Sequence, residues 1–95
     1  MPQGIPQLAG AWRGTNGLTY HLTQVGHGFA WTTLGGQEMG QGIIRRWRRG
    51  WQDMQLRVSW QGPSGRGQTT GKILQMQGDQ ATRIRWHNDI VFGRQ

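Results

Sequence analysis

Four arginines and two indoles fall within seven residues, in Arg45-Arg46-Trp47-Arg48-Arg49-Gly50-Trp51. A guanidinium grips a phosphate or sulfate through two parallel N–H donors, and an indole stacks on a base or a sugar ring. The cluster falls between two alternating segments, where a hairpin tip is expected. It could hold an anionic polymer there, either nucleic acid or acidic polysaccharide. The competing reading is a solvated strand end, kept unpaired by its charge, with the indoles folded back on the body.

The other reactive residue types form no comparable group. Ser59, His87 and Asp89 have the composition of a nucleophilic triad. No strand-to-helix elbow of the G-x-S-x-G kind surrounds Ser59, which alternates outward with Arg57. His21, His27 and His87 are scattered, without H-x-H or H-E-x-x-H spacing, and the chain has no cysteine. They read as turn and surface histidines rather than metal ligands. Glu38 and Asp53 sit at expected turns, and the glycine-rich stretch from Gly62 to Gly71 lacks a phosphate-loop pattern. The expectation is a protein that is not an enzyme and has neither metal nor cofactor.

The elements that must position these residues read as strands throughout. Met54, Leu56, Val58 and Trp60 alternate with Gln55, Arg57 and Ser59, the pattern of a half-buried strand. Leu18 to Gln24, Phe29 to Leu34, Met39 to Trp47, Thr69 to Gln77, Thr82 to His87 and Ile90 to Arg94 read similarly. A short strand around Trp12 makes about eight. Gly26-His27-Gly28, Gly35-Gly36, the stretch Gln61 to Gly67, Gly78-Asp79 and Asn88-Asp89 are the expected turns. Gly40 and Gly42 share one strand face, where they permit a sharp bend. The fold class is therefore all-β, a single small antiparallel up-and-down barrel, with a sandwich as the alternative. Residues 1–7 read as a loose Pro/Gln/Gly tail, and residues 8–95 as the barrel domain.

The chain has 95 residues, 17 of them glycine, and a formal charge of +7 with a single lysine, Lys72. Its pI of about 11.8 favours nucleic acid, acidic polysaccharide or anionic lipid as a partner, and is also compatible with simple solubility. No apolar run approaches the roughly 18 residues of a membrane span. Met1 to Pro6 lacks the basic and apolar regions of a leader. A cytoplasmic protein and an exported one with its leader removed both fit. A homodimer stays among the options left open.

Gly10, Trp12 and Arg94 carry a resemblance. A G-x-W in the first strand and a basic residue in the last one are similar to those of the calycin group: lipocalins, fatty-acid-binding proteins, avidins and certain bacterial metalloprotease inhibitors. The resemblance implies an up-and-down barrel in which the terminal strands meet and the basic residue packs on the indole. Arg94 shares the parity of Ile90 and Phe92, so it is expected to point inward onto Trp12. The resemblance also implies a binding protein, with a small molecule or sugar held at the barrel mouth. Tyr20, Trp31 and Trp86, on neighbouring or closing strands, are the candidate lining. Their alternative role is core filling, because small barrels are packed by their own inward side chains. A third class is a protein-interaction or protease-inhibitor domain.

Overall fold

The computed structural model describes residues 5–46, 50, 52–63 and 65–95. Eight strands follow in order: β1 (Gly10–Gly14), β2 (Thr19–Val25), β3 (Gly28–Thr33), β4 (Met39–Arg45), β5 (Gln55–Gly62), β6 (Gly65–Gln77), β7 (Gln80–Trp86) and β8 (Val91–Arg94). Each pairs antiparallel with the next, and β8 pairs with β1, so the sheet closes into an up-and-down barrel. Closure removes the sandwich alternative. Among the described residues no helix is long and apolar enough to cross a membrane.

Most strand limits fall within about two residues of the sequence reading, and two differences bear on the site. The chain from Gln61 to Gly67, expected as a turn, is mostly ladder: Gln61 pairs with Arg66 and Gly62 with Gly65. Gly65 makes so tight a reversal possible, with φ at +134°, a region that L side chains rarely enter. At the other limit, β3 ends at Thr33, and Leu34 turns outward, 79% exposed.

The interior is filled by large rings set opposite glycines. Trp31 pairs with Gly40, Gly40 with Trp60, and Trp60 with Gly67, so one inward row alternates indole and glycine across four strands. Phe29 pairs with Gly42, and Trp86 with Gly71. A Cβ added at Gly40 would lie 2.5 Å from the Trp31 indole, and one at Gly71 2.5 Å from the Trp86 ring. These glycines provide room for aromatic side chains inside a narrow barrel. That is the role of Gly40 and Gly42, where a sharp bend was expected. Tyr20, Trp31, Trp86 and Phe92 meet at the centre, with centroid separations of 4.3 to 5.6 Å.

One end is closed by the segment before β1. Gln7 was expected in a loose tail. Instead its N–H donates to the Asp79 carbonyl (2.8 Å), and its carbonyl accepts from Ala81 (3.0 Å). The Gln24 side chain accepts from the Leu8 N–H (2.6 Å) and donates to the Pro6 carbonyl (2.9 Å). Leu8 and Trp12 are fully buried beneath it, and Trp12 Nε1 donates to the Leu8 carbonyl at 2.7 Å. Arg94 lies 4.7 Å from the Trp12 ring centroid. Its guanidinium donates to the carbonyls of Ala81 (2.8 Å), Ala9 (2.6 Å) and Gln7 (2.9 Å). Burial lowers its pKa from the ordinary arginine value.

Candidate functional site

The outward side chains of β4, β5 and β6 form a ladder of cross-strand rows. Met39 pairs with Gln61 and Gln61 with Arg66; Gln41 pairs with Ser59 and Ser59 with Gln68. Ile43 pairs with Arg57 and Arg57 with Thr70, while Arg45 pairs with Gln55. Lys72 lines the same surface hollow as Gln55. Alternate residues of a strand lie about 6.7 Å apart, so the four rows cover roughly 20 Å along the strands. The twelve side chains include four cations and four glutamines and no carboxylate. Two adjoining hollows follow the face. One of about 610 Å³ lies among Met39, Gln61, Arg66 and Gln68, and one of about 700 Å³ among Gln41, Arg57, Thr70 and His87.

The arginine and indole cluster begins where this face ends. Arg45 is the last residue of β4, and Arg46 follows it; both are exposed. Trp47, Arg48, Arg49 and Trp51 lie outside the described residues. A third hollow, about 760 Å³, brings Arg46 together with Asp53, Lys72, Arg85, His87 and Asp89. Its charge is mixed, and Arg85 is already paired with Asp89 at 3.1 Å. The acid-free part of the surface is the strand face itself.

Tyr20, Trp31 and Trp86 are brought together, but as a packed cluster. They are 1%, 4% and 2% exposed. Trp31 meets both others edge to face, at 5.6 Å from Tyr20 and 5.2 Å from Trp86. Two polar atoms of the cluster are satisfied: Trp31 Nε1 donates to the Glu38 carboxylate (3.2 Å), and the Tyr20 hydroxyl accepts from Asn16 Nδ2 (2.9 Å). Burial raises the Tyr20 pKa, and the Asn16 hydrogen bond opposes that rise. Trp86 Nε1 is buried and has no acceptor among the described residues.

The remaining reactive residues are spread out. Ser59 stands in the middle of the outer face, while His87 and Asp89 belong to the β7–β8 turn, with Asp89 turned to Arg85. His21 and His27 are exposed, on β2 and in the β2–β3 turn. Among the described residues no three His, Cys, Asp or Glu side chains group as metal ligands. Arg57, Arg66, Gln41 and Gln68 were not singled out from sequence as a site. Their outward parity was legible in part, in Gln55-Arg57-Ser59, but the register that aligns them across strands was not. Gly10, Trp12 and Arg94 converge where the terminal strands meet, since a Cβ at Gly10 would fall 2.6 Å from the Arg94 guanidinium. Comparison with protein-family models, with curated proteins and with solved structures finds no match for this chain.

Proposed function

We propose that this protein is a non-catalytic binding module that holds an anionic polymer on the outer face of β4, β5 and β6. The observation that carries the reading is the ladder of four cations and four glutamines without a carboxylate, on a chain of net charge +7. Arg57 and Arg66 supply forked donors for phosphate or sulfate oxygens. Gln41, Gln61 and Gln68 supply donors and acceptors for sugar hydroxyls or base edges. Arg45 and Arg46 extend the positive surface into the β4–β5 loop. We read the barrel itself as calycin-type, supported by Gly10, Trp12 and Arg94 and their convergence.

Affinity for a labelled single-stranded oligonucleotide and a sulfated oligosaccharide, measured across a salt series, tests the reading. Each phosphate contact contributes a slope of about 0.7 in log affinity against log salt on a single strand. Replacing Arg57 and Arg66 by Gln is therefore expected to lower the slope on the oligonucleotide by about 1.4. Binding no tighter than that of a charge-matched peptide, or an unchanged slope, would overturn it. One observation favours a second reading, a small polar molecule at the barrel mouth: the buried Trp86 Nε1 without an acceptor. Native mass spectrometry checks it, through a bound small molecule that is lost on Trp86→Phe.

A further inference from the structure

Strand β6 runs for 13 residues, and its two neighbours divide it between them. β5 pairs with Gly65 to Gly71, and β7 pairs only from Gly71 onward. The β7 side ends with the His87 N–H donating to the Thr70 carbonyl at 2.8 Å. Beyond it, Gly65 to Thr69 have no ladder partner on that side among the described residues. In a strand, the N–H and C=O of one residue point the same way, and successive residues alternate. Thr70 faces the β7 side, so Gln68 and Arg66 do as well. Four backbone groups therefore lie along an open edge, which is a template for another strand.

We infer that this edge pairs with the same edge of a second copy of the chain, antiparallel about a two-fold axis at Gly67. With Gly67 opposite its own copy, Arg66 falls opposite Gln68 of the second copy, and Gln68 opposite the second Arg66. Both pairs carry edge-facing groups, so four backbone hydrogen bonds form. Gly67 occupies the close, non-bonded position, at a Cα separation of about 4.5 Å, where the absence of a side chain eases the approach. Moving the axis to Arg66 sets two guanidiniums opposite each other, which is unfavourable. Moving it to Gln68 requires the Thr70 carbonyl, which His87 already occupies. The pairing joins two β4–β5–β6 faces into one six-stranded surface, and it stands whether or not that surface binds a polyanion.

Sedimentation velocity on the full chain, from micromolar to millimolar concentration, reads the association. The wild type is expected to dimerise as concentration rises. Gln68→Pro removes an edge-facing N–H while sparing the β5 ladder, and is expected to abolish the dimer. Gln68→Glu places a carboxylate opposite each Arg66 and is expected to tighten the dimer roughly two- to thirtyfold, while Gln68→Lys weakens it by a similar factor. If Gln68→Pro fails to fold, the Glu and Lys variants decide. A wild type that stays monomeric throughout, a folded Gln68→Pro that dimerises like the wild type, or a dimer indifferent to the sign of charge at this position would each overturn the inference.

Discussion

Replacing Arg94 by Met keeps the apolar stem and removes the guanidinium that ties both chain ends to β7. Three hydrogen bonds are lost, to the carbonyls of Gln7, Ala9 and Ala81. Each is charge-assisted, but the site is partly solvated and the freed carbonyls can hydrate, so about 1 kcal/mol apiece is appropriate. The contact with Trp12 at 4.7 Å adds about 0.5–1 kcal/mol. The expected loss is about 3–4 kcal/mol, a large part of the roughly 5–14 kcal/mol that a chain of this size commands. Arg94→Lys retains a charge that reaches one carbonyl, so about 2 kcal/mol is expected. Urea unfolding followed by tryptophan fluorescence measures both. With a slope of about 1.5–2 kcal/mol/M, Arg94→Met should lower the midpoint by about 2 M. Hydrogen exchange at Leu8 and Ala81 should accelerate with it, because the segment before β1 loosens. A midpoint shift under about 0.3 M, where 2 M is expected, would show instead that the barrel ladder holds the two chain ends without the guanidinium.

Three further outcomes follow from the interior. Trp12→Ala, at a fully buried indole, should destabilise by about 3–5 kcal/mol in the same urea assay. Gly40→Ala pushes a methyl group into the Trp31 indole and should cost about 1–3 kcal/mol, largely relieved when Trp31 is also reduced to Leu. Tyr20 is the chain's single tyrosine, so tyrosinate absorbance titrates it alone; its midpoint should lie above the ordinary value of about 10, and higher still in Asn16→Ala. Because the folded pKa is the raised one, this contribution to stability is complete below about pH 10 and is lost as pH rises through the folded midpoint.

The residues explain what could be read early and what could not. The alternation of Met54 to Trp60 was legible because each inward position carries its own apolar group. The start of β6, from Gly65 to Gln68, was not. Gly67 faces inward, and the apolar matter above it belongs to Trp60 on the neighbouring strand. A strand whose core side chains are supplied by its neighbours reads as a turn in its own sequence. Arg94 could be oriented by parity alone, yet the three carbonyls it takes depend on how the chain before β1 crosses the barrel end. The basic outer face stayed hidden for a related reason: Arg57 and Arg66 are nine positions apart in the chain, and only cross-strand register brings their rows together.

The binding face is tested most directly by backbone and indole amide shifts during titration with a single-stranded oligonucleotide and, separately, a sulfated oligosaccharide. Saturable shifts are expected at Gln41, Arg57, Ser59 and Gln68, continuing to Arg45 and Arg46, with the Trp31 and Trp86 indole signals unmoved. Shifts confined to Tyr20, Trp31 and Trp86, or none on the β4–β5–β6 face with either polymer, would contradict it.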